Sequence, residues 1–149
     1  MTGKAKRILL LLLVIAGFIV FAAGYLVWNK PHRDVKDSDG IKIDASALYD
    51  IFISDSAKAN STYLNKILQV SGIVSGFSTN QKKQEIILMK TSVPEASINC
   101  TMEGDVNNAY KVGDKVALKG ICSGFISGDK DMGLPGDVFL IRCYRSTNQ

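Results

Sequence analysis

Histidine is almost missing from this 149-residue chain: the single copy, His32, sits between Pro31 and Arg33 and reads as a solvated spacer residue. Residues 44–149 therefore hold no imidazole to serve as the base that a serine or cysteine nucleophile needs, which removes hydrolase chemistry of the usual kind. The three cysteines, Cys100, Cys122 and Cys143, form no Cys-x-x-Cys pair, so a zinc site lacks its donors. There is no Walker loop, dinucleotide fingerprint or His-Glu-x-x-His segment. The carboxylates, among them Asp55, Asp114, Asp129 and Asp137, are scattered through turns and helix surface, with no spacing that specifies an acid–base pair. These absences predict a non-enzyme that carries neither cofactor nor metal.

A charge excess is missing as well, once the charge is located. The formal net charge is +4, but residues 1–43 carry seven basic and three acidic side chains, and residues 44–149 carry eleven of each. The presumptive folded part is neutral. The basic pI belongs to the leader and is no footprint for nucleic acid.

What the leader does have is a run of 21 uncharged residues from Ile8 to Trp28. A helix of that length is roughly 31 Å long, enough to cross a bilayer core. Lys4, Lys6 and Arg7 close its upstream end, and Tyr25 and Trp28 suit the headgroup zone downstream. A retained signal anchor is preferred over a cleaved signal peptide because the run exceeds the usual h-region of about 7 to 15 residues. No cysteine follows it, which argues against a lipoprotein. Residues 1–7 then form a short basic cytoplasmic tail, 8–28 the transmembrane helix and 29–43 a linker containing Pro31 and Gly40. The folded domain, 44–149, is expected outside the cytoplasm, periplasmic or extracellular.

Within that domain Asp44 is positioned to cap a helix over about Ala45 to Asn60, with Leu48, Ile51, Phe52 and Ala59 along one side. The period then changes to two. Leu68, Val70, Gly72 and Val74 share one strand phase, followed by a polar loop at Ser78 to Lys83 and a strand from Gln84 to Lys90. A third strand holds Ile98, Cys100 and Met102. A fourth runs from Lys115 to Ser123, with Val116, Leu118, Gly120 and Cys122 inward. A last one, Val138 to Arg145, has Phe139, Ile141 and Cys143 in one phase. Gly124 to Gly136, with four glycines and Pro135, reads as a long mobile loop. Five short strands with glycines inside the first and fourth predict a mainly β fold: a small five-stranded OB-fold Greek-key barrel preceded by an α-helix.

The order of these features resembles the tRNA_anti-like family. The resemblance rests on the helix, then Ala59-Asn60-x-x-Tyr63-x-x-Lys66, then Leu68-x-Val70-x-Gly72-x-Val74. It continues with Val112-Gly113-Asp114-x-Val116-x-Leu118-x-Gly120-x-Cys122-x-Gly124 and a strand ending in Cys143. It covers roughly residues 44 to 145. It implies a bacterial OB-fold protein with an N-terminal membrane or export segment and no established biochemical role. The family's name reflects similarity to the anticodon-binding domain of aminoacyl-tRNA synthetases.

OB modules that hold single strands use stacking aromatics and a positive groove across the second and third strands. Here those two strands contain no aromatic residue. Lys82, Lys83 and Lys90 form the expected basic cluster, and Phe77 and Phe125 either border the same face or enter the core. Phe125 and Met132 on the last loop are candidates for docking a partner or for folding over the barrel mouth. The expected partners are the membrane, through residues 8–28, and an envelope protein, peptide or glycan. Single-stranded nucleic acid and a structural role in a membrane assembly remain as alternatives. The cysteines fall in apolar strand phases, as buried thiols do. In an oxidising compartment one pair can bridge, and Cys122 with Cys143 is favoured because consecutive strands of a hairpin are neighbours.

Overall fold

The computed structural model describes residues 15–18, 20–22, 24–25, 35–36, 38–104, 106, 109–129 and 131–146. The chain divides into two compact units, Met1–Arg33 and Asp34–Gln149. In the first unit the described residues are helical, and the expected transmembrane helix, residues 8–28, lies largely outside them. No helix among the described residues is long and apolar enough to cross a membrane.

The second unit is mainly β. Its elements are β1 (Ile41–Asp44), α1 (Ala45–Ser54), α2 (Ser56–Tyr63), β2 (Ile67–Thr79), β3 (Glu85–Lys90), β4 (Ser97–Met102), β5 (Lys115–Ile126) and β6 (Asp137–Arg145). Strands β2 to β6 close a five-stranded barrel in the order β2-β3-β4-β6-β5, with β5 pairing back onto β2. All neighbours are antiparallel except β4 and β6, which run parallel. This is the strand order of an OB-fold. The thirteen residues of β2 let its first half pair with β5 and its second half with β3. A register shift between Val74 and Gly76 turns the strand from one neighbour to the other.

β1 was not expected. Ile41–Asp44, the end of the stretch read as linker, pairs in parallel with Leu68 to Ser71. It takes the edge that β2 leaves free before β3 joins. The backbone groups there need a partner, and the Ile41-Lys42-Ile43 alternation supplies one.

The helical region also differs from the single helix expected over 45–60. Asp55 adopts φ −152°, its N–H bonds the Ile51 carbonyl, and its carboxylate accepts from Lys58 N at 2.9 Å. One side chain thus ends α1 and starts α2, the competition with helix hydrogen bonds that short acidic side chains offer. Asp44 caps α1 as expected, accepting from Ser46 N at 2.9 Å. Ala45, Leu48, Tyr49 and Phe52 face the barrel, while Ile51 and Ile53 point away from it.

The inward phases of β2 and β5 follow the sequence pattern, but β6 does not. Val138 and Leu140 are buried, Ile141 and Arg142 both turn outward, and Cys143 is buried again. The register slips here against both neighbours, and Arg142 takes a left-handed φ of 53°. One extra residue on the outside is a β-bulge, and it places Phe139 and Ile141 outside the phase of Cys143.

The tightest approach inside the barrel is at Gly120. A Cβ there would lie 2.4 Å from Cys143 Sγ and 3.2 Å from the Ile141 carbonyl oxygen. Gly120→Ala is expected to destabilise the fold by about 1 to 3 kcal/mol through overpacking. A urea midpoint that falls with an unchanged m-value checks it.

Candidate binding face

The outer surface of β3, β4 and β6 is set by strand register. Gly76, Leu88, Asn99, Phe139 and Gly124 stand side by side across five strands. A glycine stands at each end of the row; a Cβ on Gly76 would lie 3.5 Å from the Leu88 side chain, and one on Gly124 would lie 3.7 Å from the Leu64 side chain. Leu88 and Phe139, both half-buried, flank Asn99. The next row carries Ser78, Ile86 and Thr101, and the β6 bulge adds Ile141, 42% exposed. The result is a mixed strip in which Leu88, Ile86, Phe139 and Ile141 adjoin Ser78, Thr101 and the buried Asn99. Its polar end is ordered: Ser97 donates to Asn99 Oδ1 at 3.1 Å, and Ser97 N and Oγ both donate to Asp137 Oδ1.

At the other end lies a groove of about 490 Å³. The β2–β3 turn lines one side with Asn80, Gln81, Lys82 and Gln84, and Thr101, Glu103, Ile141 and Arg142 line the other. Asn80 holds the turn by accepting from Lys82 N and Gln84 N at 2.9 and 3.0 Å and donating to Gln84 Oε1 at 2.9 Å. Two cations, Lys82 and Arg142, share the groove with one carboxylate, Glu103.

The expected basic cluster is therefore divided. Lys82 and Lys83 lie on the turn, but Lys90 ends β3. The extended strand between Lys83 and Lys90 spans roughly 20 Å. Arg142 takes its place beside Lys82; the sequence pattern missed it because only the bulge brings it there.

Phe125 is half-buried. It packs against the core, stacked on Phe52 with ring centroids 5.7 Å apart and edge-on to Tyr49 at 6.2 Å. A register shift between Cys122 and Gly124 turns it inward. Met132 is 69% exposed, on the loop between β5 and β6. Leu134 N bonds the Asp129 carbonyl at 2.9 Å, and the Asp129 carboxylate accepts from Asp131 N and Met132 N. Phe77 is 48% exposed and lines a separate cavity of about 290 Å³ with Val106, Ala109 and Tyr110. The Tyr110 hydroxyl is buried and has no hydrogen-bond partner among the described residues, and burial raises its pKa against the opposing pull of Arg145.

The three cysteines are buried and unbridged in this structure. Hydrogen bonding with the Cys100 thiol first and burial second hold the Cys143 pKa well above the ordinary thiol range. No cluster of three or more His, Cys, Asp or Glu among the described residues is arranged to hold a metal ion. His32 lies outside the described residues.

The tRNA_anti-like family pattern matches residues 1–133, taking in the apolar leader and ending before β6. Among solved structures the chain is similar to that of a Leishmania major Friedlin protein assigned as an aspartyl-tRNA synthetase. The two are 9% identical with a TM-score of 0.34, over 79% of this chain and 23% of that one. Comparison with curated proteins gives no match.

Arg142 holds a backbone conformation that favours glycine, so its side chain and its fold stability are separable. Arg142→Gly is expected to keep or raise stability, by up to about 1 kcal/mol, while removing the guanidinium from the groove. Thermal unfolding of the variant beside the wild type measures it.

Proposed function

The chain belongs to the tRNA_anti-like family, and from that premise we propose that it is a membrane-anchored binding module that performs no chemistry of its own. Its barrel faces outside the cytoplasm and holds an extended segment of an envelope protein on the outer surface of β3, β4 and β6. The observation that carries this reading is the cross-strand row Gly76, Leu88, Asn99, Phe139 and Gly124. Leu88 and Phe139 give the row half-buried apolar surface on either side of the buried Asn99. A chain laid across it would bury its own apolar side chains on Leu88 and Phe139, at about 25 cal/mol per Å² removed from water. The Lys82 and Arg142 groove would receive an acidic side chain at one end. The anchor rests on the uncharged run from Ile8 to Trp28.

The absence of catalysis is supported by what the polar groups already do. Glu85 accepts from Val106 N and Asp137 from Ser97, so these carboxylates fix backbone rather than standing free for acid–base work. The residues of the barrel include no histidine.

The second reading is a single-stranded nucleic acid on the same face, favoured by Lys82 and Arg142 lining one groove. One ring and two cations are a small set for that task, since such sites stack successive bases on several aromatics along a positive track.

A photo-reactive side chain at Ile86 is expected to give a protein adduct in intact membranes, and one at Ser61 on α2 is not. The adduct should weaken at least tenfold with Phe139→Ala or Arg142→Glu, and the chain should stay with the membrane after an alkaline wash. Equal adducts at both positions, or release of the intact chain by the wash, would remove the reading. Titration of the detergent-solubilised full chain with labelled oligonucleotides decides the alternative. Binding that weakens with salt at a logarithmic slope of about −1.4, as two phosphate contacts on a single strand require, would favour nucleic acid instead.

A further inference from the structure

Two cavities lie at the end of the barrel away from α1. α1 packs where β3 ends and β6 begins: its Asp50 carboxylate accepts from Ser92 Oγ just past Lys90, and its Phe52 ring stacks on Phe125. At the other end β3 begins with Glu85, β4 stops at Met102 and β6 at Arg145. β5 pairs with β2 only as far as Ile73, and beyond that point Phe77, Ser78 and Thr79 line a cavity of about 290 Å³. Its opposite wall, Val106, Ala109 and Tyr110, belongs to the β4–β5 connection, which is fastened on both sides. Val106 N donates to Glu85 Oε2 at 3.2 Å, and Gly113 N donates to the Val74 carbonyl at 2.9 Å.

We propose that this cavity is a binding site for an alkylammonium group, with the Glu85 carboxylate as its counter-ion. Glu85 is the one charged side chain that lines it among the described residues. The bond from Val106 N leaves the carboxylate with further lone pairs, and an ammonium supplies three donors in charge-assisted bonds. The Ser78 and Thr79 hydroxyls add acceptors, and the Phe77 ring, 48% exposed, offers a face to a cation.

The nearest fixed cation belongs to the neighbouring space. Arg145 lines the smaller cavity, of about 200 Å³, together with Glu103, and its guanidinium lies over the Tyr110 ring at 5.8 Å. Tyr110 is a wall of both cavities, so it stands between an ion pair's worth of balanced charge and a carboxylate with no basic partner in its own cavity. Its buried hydroxyl lacks a hydrogen-bond partner, a further unmet polar group in the same wall. An anion would meet Glu85 head-on, and a purely apolar ligand would cover the carboxylate without pairing it. Neither Phe139 nor Arg142 lines the cavity, so loss of amine binding and loss of the outer-face partner are distinguishable.

The test titrates the full-length chain in non-ionic detergent with butylammonium chloride, against sodium chloride at equal ionic strength. The amide resonances of Ser78, Thr79 and Ala109 are followed by NMR. A saturable shift with a dissociation constant on the order of 1 mM is expected for so small a cation. Butanol and butyrate keep the alkyl chain and change the head group, and each should bind at least tenfold more weakly. Glu85→Gln keeps an acceptor for Val106 N while removing the charge, and should weaken butylammonium at least tenfold. Ala109→Leu, at an exposed position, fills the space without altering charge and should abolish the shift. N-acetyl-lysine amide separates the sources of the group: binding as tight as butylammonium assigns the site to a lysine side chain of a protein, and its exclusion beside bound butylammonium assigns it to a free amine. Equal binding of butanol or butyrate, an unchanged affinity in Glu85→Gln or Ala109→Leu, or no saturable shift at about ten times the expected constant would overturn the proposal.

Discussion

Everything in the barrel depends on β2 satisfying three neighbours at once. A closed sheet leaves no free edge, so each backbone donor and acceptor of the first strand must find a partner as the strand bends from β5 toward β3. The bend opens one side of Ile67 to Ile73, and β1 fills part of it by pairing with Leu68 to Ser71. Gly72 lies within the same segment, where a Cβ would come 2.9 Å from the Cβ of Ala45. The missing side chain lets α1 settle against the bent strand. Helix docking and sheet closure are thus one geometric problem, solved at one position.

Closure also generates the surface. Register slips at β5 and β6 are how strands of unequal curvature stay paired around a small barrel, and each slip re-aims the side chains beyond it. One slip sends Phe125 inward to the Phe52 ring; the other turns Ile141 and Arg142 outward together. The outer face therefore has a composition that neither strand would present if it kept a strict alternation. The interior cysteine at 143 follows from the same slip, which returns it to the inside opposite Met102.

Much of this was legible in the sequence, and the remainder failed for identifiable reasons. The strands, the inward phases of β2 and β5, the cap at Asp44 and the closed five-stranded architecture followed from periodicity and turn residues. β1 was missed because four residues between charged neighbours carry too little pattern to separate a strand from a linker. The break at Asp55 was missed because the dual cap depends on one side chain leaving the helix pattern. The alternating pattern puts Phe139 and Ile141 in phase with Cys143 because a bulge leaves no mark in it, and it leaves Phe125 open between face and core. Lys90 was grouped with Lys82 and Lys83 by closeness along the chain, although a strand separates neighbours faster than any other structure. Within the candidate face only Lys82 was singled out beforehand; Phe139 and Arg142 required the register.

The junction at Asp44 joins these themes. The residue is both the last of β1 and the cap of α1, with no spacer between sheet and helix. Whatever tension arrives along the polypeptide from upstream has no slack in which to dissipate before it reaches the helix that carries Phe52. Displacing β1 from β2 would therefore shift α1, and Phe52 with it, in a single movement.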